Sequence, residues 1–341
     1  MSQTYLPVLA SALLLSAGCA GGGGGDESEE VPPEAVVGHY EVTSTYNAAG
    51  ALPDVATDTL GILDGLADDP AGTLIDLAEQ AGAPIDWVPD SLRDKFADWV
   101  NDYIASRVFQ GAPVTEEIAR WTQDIAGMLH HFDIISTMDL ATVDGSTAAN
   151  HVLAAVAFDF RGARRVVDTP DIVEQLTIAR DVSCSIEEAG AGEARLDVGD
   201  HAFHMPLGDF AVVGFNMGLE QVLGIADLHA ALELLIDCPG LAANVSSKCL
   251  GPICVGHADE IEGFCRMGID LVVNEVERRI ASVEFAELHL ASGEAAMLDA
   301  AKDDTALDGT YDQIDRGVWQ AVVNIDGVEL PVEATFAGTR K

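Results

Sequence analysis

The 341-residue chain reads as an α+β fold. The expected architecture is an antiparallel β-sheet or barrel formed by N-terminal, central and C-terminal strands, with helical segments and a disulfide-clamped helical hairpin. Three observations predict it. β-Rich runs with period-two alternation stand at both ends of the chain, apolar residues at three- and four-residue spacing fill the stretches between them, and four cysteines in a symmetric pattern flank a Gly-Pro turn.

The elements follow in order. Gly38 to Tyr46 alternates and is rich in Tyr, Val and Thr, which predicts a first strand. A helix over Thr57 to Gly82, interrupted near Asp69-Pro70, comes next. Another runs from Pro89 to Phe109 on the stripe Leu92, Phe96, Trp99, Tyr103 and Ile104. A third opens after Pro113-Val114-Thr115 with Glu116 and Glu117 in its first turn. Its stripe is Ile118, Trp121, Ile125, Met128, Leu129 and Phe132. Strands are predicted over Ile134 to Val143, Val152 to Phe160, Ala194 to Phe203 and Asp209 to Phe215, while Leu176 to Ser185 fits helix or strand. Leu219 to Ile236 is helical, the cysteine segment continues through Val272 to Ile280, and Val283 to Leu290 is a strand. The chain closes in a hairpin of Val318 to Asn324 and Val328 to Phe336 around Asp326-Gly327, a dipeptide suited to a tight primed turn.

Eleven positions separate Cys238 from Cys249, and eleven separate Cys254 from Cys265. That is close to three helical turns, so each pair shares one stripe of its helix. A chain folding at Leu250-Gly251-Pro252-Ile253 sets Cys249 opposite Cys254 and Cys238 opposite Cys265. Bridges along one helix are excluded, because the rise is about 16 Å. The pattern resembles the twin-cysteine helical hairpins of small oxidised proteins over this segment. The rival arrangement is a zinc site of Cys249, Cys254, His257 and Cys265, whose spacing is loose for zinc. Cys184 remains as a buried thiol or an intermolecular partner.

Leu6 to Ala17 is an apolar run too short for a bilayer and right for a signal-peptide core. It ends in Leu15-Ser16-Ala17-Gly18-Cys19, which resembles the lipobox of bacterial lipoproteins. The leucine stands one place early and no Lys or Arg precedes the run. The resemblance implies cleavage before Cys19 and lipidation (palmitate) of that residue. Gly21 to Gly25 and the acidic Asp26 to Glu30 form a tether that buries too little apolar surface to order itself. The expected organisation is a leader at 1–18, lipidated Cys19 and tether at 19–34, and one folded domain at 35–341. The chain is then exported and anchored to the cell envelope through its lipid. The small Ala20 after the cysteine resembles lipoproteins sorted to an outer membrane. Gly38-x-Tyr40 on the first strand and Arg340 after the last resemble lipocalins and their relatives, which carry a Gly-x-Trp motif and a closing arginine. Those barrels lack the helices predicted here.

With 57 acidic and 17 basic residues the formal net charge is −40, which argues against nucleic acid as a partner. No segment after the leader reads as a membrane span. No Gly-x-Ser-x-Gly elbow, His-Glu-x-x-His or phosphate loop occurs. Asp200, His201 and His204 form the best candidate metal cluster, but residues three apart on a strand face opposite sides. His130, His131 and Asp133 close a helix. The acidic series Asp299, Asp303, Asp304, Asp308, Asp312 and Asp315 supplies the oxygen ligands calcium prefers without EF-hand spacing. The reading is therefore a non-enzymatic envelope lipoprotein with a binding or structural role, no catalytic residue and no cofactor. Its partners are the membrane, through the N-terminal lipid, and an envelope protein or apolar ligand. The alternatives are a carrier with an apolar cavity between the sheet and the helices at 57–132 and 219–280, and a metal-dependent enzyme centred on His201 and His204.

Overall fold

The computed structural model describes residues 31–47, 54–82, 88, 92–172, 177–250, 253–281, 286–299, 309–325 and 328–341. Cys19 and the leader, together with residues 303, 304, 308 and the Asp326-Gly327 turn, lie outside them. Val31 is buried. A short helix α1 (Pro33–Val36) leads into β1 (Gly38–Asn47). The first helical insertion follows: α2 (Asp54–Asp68), α3 (Pro70–Gln80), α4 (Arg93–Ser106), the short pair β2 (Val108–Phe109) and β3 (Ala112–Pro113), and α5 (Val114–His130). Asp69 and Pro70 divide α2 from α3, with the Asp69 carboxylate accepting the Gly72 N–H.

The strands then run β4 (His131–Val143), β5 (Ser146–Phe160), β6 (Ala163–Asp168), β7 (Ile178–Gly190), β8 (Glu193–Val198) and β9 (His201–Met205). The second insertion holds α6 (Leu207–Gly218), a π turn (Leu219–Leu223), α7 (Leu228–Ile236), α8 (Cys238–Ser246), the short β10 (Cys249–Leu250) and β11 (Ile253–Cys254), and α9 (Ala258–Ala281). β12 (Ala286–Leu298), β13 (Gln313–Ile325) and β14 (Val328–Arg340) end the chain.

Strand pairing follows chain order. β1, β4, β5, β7, β8, β12, β13 and β14 each pair antiparallel with the next, and β14 pairs back onto β1, so the sheet closes into a ring. β6 adds to β5, and β9 pairs with the first half of β12. Burial alternates along the strands: Tyr40, Val42, Ser44 and Tyr46 on β1, and Phe132, Ile134, Ser136, Met138 and Leu140 on β4, are buried. An eight-stranded ring has an interior about as wide as its own side chains can fill.

Both helical insertions leave from one end of the ring. The first departs at Asn47 and returns at His131, which are partners, and the second departs at Met205 and returns at Ala286, also partners. α2 and α3 pack on α9 and α5 meets α6, joining the insertions into one helical layer. The layer meets the sheet through Phe215 of α6, which stands edge-on to Phe160 of β5 at 5.7 Å and to Trp121 of α5 at 6.4 Å. A buried ion pair fixes the same junction. Glu117 of α5 accepts from Arg161 at 2.5 Å and from the Trp121 indole at 3.0 Å.

At the opposite end Arg340 crosses to β1, where its Nη2 donates to the Val37 carbonyl at 2.6 Å. A Cβ at Gly38 would lie 2.6 Å from Arg340 Nε, so this approach needs glycine.

Two expectations are corrected. Residues 209–215 are helical, within α6, rather than a strand. Phe210, Ala211, Gly214 and Phe215 are buried at helical spacing inside a continuous apolar run, where the period is masked. The block from Leu219 is broken at Gly224, which adopts φ 70°, and helix resumes only at Leu228. The four cysteines pair in the anticipated register, Cys238 with Cys265 and Cys249 with Cys254. Only the first bridge links helices, α8 to α9. Cys249 and Cys254 face each other across the short β10–β11 pair. These four thiols are thus consumed as disulfides, and His257 of the rival zinc set lies beside Glu260.

Residues 228–246 are long and apolar enough to cross a bilayer, which the sequence reading did not single out. They are 50% buried within the fold. Asp237 divides them, ending α7 and accepting the Gly240 N–H of α8.

Candidate functional site: a buried serine–histidine–histidine chain

Among the described residues the buried polar side chains on β1, β4, β5 and β9 are Ser44, Ser136, His151 and His201. On β4 the inward series Ile134, Ser136, Met138 carries a serine, and on β5 the series Ala149, His151, Leu153 carries a histidine. β9 turns His201 inward beside them, and β13 supplies Trp319. Ser136 has no exposed surface, His151 is 1% exposed and His201 8%. His151 Nε2 lies 2.8 Å from Ser136 Oγ, and His151 Nδ1 lies 2.9 Å from His201 Nε2. His201 Nδ1 lies 2.8 Å from the Gly199 carbonyl oxygen.

The carbonyl sets the direction of this chain. It only accepts, so His201 carries its proton on Nδ1, leaving Nε2 as an acceptor. His151 must then donate from Nδ1, and its bare Nε2 accepts the Ser136 hydroxyl. Every nitrogen is satisfied with both rings neutral. Ser136 also lies 3.4 Å from the carbonyl of Val42, its partner on β1.

Aromatic rings wall the chain. Phe203 stands edge-on to His151 at 4.7 Å, and Trp319 stacks on it at 5.9 Å while donating its indole N–H to Ser44 at 3.1 Å. Trp319 also lies over Gly293 of β12, where any Cβ would come within 2.2 Å of the indole ring. The indole therefore depends on glycine at that position.

Burial pushes His151 down to about 3, helped by the neighbouring His201. Burial also lowers His201, opposed by its hydrogen bond to Gly199 and by the Asp200 carboxylate. In isolation Ser136, His151 and His201 have the relation of nucleophile, base and orienting group. A substrate has no route to a hydroxyl with no exposed surface, so in this conformation the chain is a sealed polar core.

The other candidate residues are dispersed. His201 points inward and His204 of β9 outward, so they cannot share one ion. Asp200 engages His289 at 2.6 Å instead. Among the described residues no group of three or more His, Cys, Asp or Glu converges as a metal site. His130 ends α5 while His131 begins β4, and Asp133 pairs with Arg164 at 2.7 Å. Asp299 is buried, with Oδ2 accepting the Gly309 N–H at 2.8 Å and Oδ1 without a hydrogen-bond partner. Asp315 lies by Arg316. Cys184 is a free thiol on β7, and burial pushes it up to about 12.

Where the helices meet, the space bounded by Ile125, Phe215, Leu228 and Val276 is about 10 Å³, no more than one water needs. A pocket of about 220 Å³ opens between α3, α4 and α9 over Ile75, Phe96, Ala97 and Phe264. A shallow groove of about 400 Å³ crosses β8, β12 and β13 over Ala296 and Val318. Its arginines, Arg195 and Arg316, are engaged by Asp197 and Glu193.

The sequence reading named His201 but missed Ser136, His151 and Trp319. The signal was a polar residue at the inward phase of an otherwise apolar alternating run, at Ser136 and again at His151. Comparisons of the chain with protein-family models, with curated proteins and with solved structures give no match.

Proposed function

We propose that the protein is an exported, lipid-anchored module of the cell envelope whose role is binding or scaffolding rather than turnover. The observation that carries this reading is the state of the cysteines. All four in the hairpin segment are oxidised in pairs and the one remaining thiol of the folded body is partly buried. That pattern suits an oxidising compartment and agrees with a leader ending in a lipobox-like Cys19. The sealed Ser136 speaks for the non-enzymatic part.

The test is incorporation of labelled palmitate in cells carrying the native leader. Label and membrane association are expected in the parent and lost together in Cys19→Ser. An unlabelled parent would sink the anchor. A hydrolase panel or an active-site serine probe should find nothing that Ser136→Ala abolishes. Turnover lost in that variant would refute the non-enzymatic reading.

A second reading, carriage of an apolar ligand, has one observation in its favour, the pocket over Phe96 and Phe264. At about 220 Å³ it is smaller than the 300–1,000 Å³ usual for ligand sites, so it suits a short apolar group. Native mass spectrometry of purified protein separates the readings, since a carrier retains lipid and a scaffold does not.

A further inference from the structure

The Ser136–His151–His201 chain satisfies its hydrogen bonds in either of two directions, and the charge on His201 selects between them. In the neutral arrangement donors run from Ser136 towards the Gly199 carbonyl. Suppose His201 becomes an imidazolium. Its Nδ1–H still serves Gly199, but Nε2 now also bears a proton and faces His151 Nδ1 at 2.9 Å. Two N–H groups cannot face each other at that distance, so His151 must present a bare Nδ1 and hold its proton on Nε2. That Nε2–H points at Ser136 Oγ, 2.8 Å away. Ser136 then accepts, and its hydroxyl turns to the Val42 carbonyl, already 3.4 Å from it. Every polar atom finds a partner in both arrangements.

We propose that His201 is a proton-controlled polarity switch: uptake of one proton reverses the donor direction of the whole chain from Gly199 to Val42 while His151 stays uncharged. The protons balance: the chain gains one, His201 passing from one ring hydrogen to two, while His151 keeps one, moved from Nδ1 to Nε2, and the Ser136 hydroxyl rotates without gaining or losing one.

The surroundings fit charge on His201 and on no deeper member. His201 is the most exposed of the three, and although burial opposes its imidazolium, the Asp200 carboxylate beside it favours that form. From β12, His289 opposes it, but His289 is itself held by Asp200 at 2.6 Å. β5 and β13 present only neutral groups, His151 and Trp319, the indole standing edge-on to His201 at 5.7 Å. His151, walled by Phe203 and Trp319, has no carboxylate among the groups that act on it. The reversal adds a tie between β4 and β1, so the ring takes up a proton without orphaning a buried group.

The test is nitrogen NMR of histidine-labelled native protein through an acid titration, because protonated and bare ring nitrogens are readily told apart. At neutral pH His151 should be the Nδ1–H tautomer. As His201 gains its second proton, His151 should convert to Nε2–H while remaining neutral, with both changes sharing one midpoint. A His151 that keeps its tautomer through that titration, or that becomes charged together with His201, would overturn the proposal. Ser136→Ala removes a partner of His151 from both arrangements, so in folded variant protein His151 should still change tautomer at the His201 midpoint, and loss of that coupling would also overturn it.

Discussion

Lowering the pH should destabilise the protein through His151 in a way that one substitution isolates. In the folded state His151 lies at about 3, against about 6.5 for an exposed histidine. Between those values the unfolded chain binds a proton that the folded ring refuses. Stability must therefore fall as pH drops below about 6.5, and the loss is complete near the folded value. Each unit within the window is worth about 1.4 kcal/mol, so at pH 4.5 the contribution is roughly 3 kcal/mol, approaching 4–5 kcal/mol at the lower limit. The native curve alone will not reveal this. The chain carries 57 carboxylates and a formal charge of −40, and protonating carboxylates relieves self-repulsion in the same range. The readout is the difference between native protein and His151→Gln, which keeps a donor and an acceptor but does not titrate. Urea unfolding at pH 7.0, 5.5 and 4.5 should show native protein losing roughly 3 kcal/mol more than the variant across that span. Parallel curves for the two proteins would show that His151 takes up its proton in the fold, and the burial argument would fail.

Three further predictions rest on other parts of the molecule. The Cys238–Cys265 bridge closes a span of 27 residues and the Cys249–Cys254 bridge one of 5. By chain entropy, removing the first pair should cost about 3.5 kcal/mol and the second about 2 kcal/mol. Denaturant titration of the two double-alanine variants checks the order. Glu117 is buried against Arg161 and the Trp121 indole, so Glu117→Ala should cost about 1–3 kcal/mol by leaving the indole unpaired and Arg161 with Asp124 as its remaining carboxylate. Glu117→Gln, which keeps an acceptor, should cost less in the same assay. Cys184, its thiol pushed up to about 12 by burial, should resist alkylation at pH 8 in folded protein and react in denaturant, as peptide mass mapping would record.

The elements legible in the sequence were those whose pattern is local. The terminal hairpin showed itself because alternation on both arms meets an Asp-Gly pair, and α5 because Ile118, Trp121, Ile125 and Met128 repeat along one stripe. The cysteine register was legible because pairing depends only on counting outward from a turn. The conformation at Cys249 and Cys254 was not, since the same count fits two helix ends or two short strands. Phe210 to Phe215 was misread because an unbroken apolar run carries no period, and only its buried contacts with α5 and β5 decide for helix. Ring closure had no local signature, being a pairing of β14 with β1 from opposite ends of the chain. The polar chain was hidden for the same reason: Ser136, His151 and His201 sit on three strands, and each alone looks like an ordinary strand residue.

That the polar cluster of the interior draws on so many strands bears on register. Alternation alone tolerates a slip of two residues, because the same face stays inward. The apolar interior, with Val42, Met138, Leu153 and Val323 among its buried residues, would tolerate it too. The polar groups would not. Moving β4 by two residues against β5 takes Ser136 away from His151, and moving β9 against β5 separates His201 from His151. Each buried group left without a partner costs about 1–3 kcal/mol. The chain from Gly199 to Val42, with Trp319 bound to Ser44 beside it, thus ties β1, β4, β5, β9 and β13 to one alignment. An apolar replacement of the same volume could match its stability at neutral pH without enforcing that alignment.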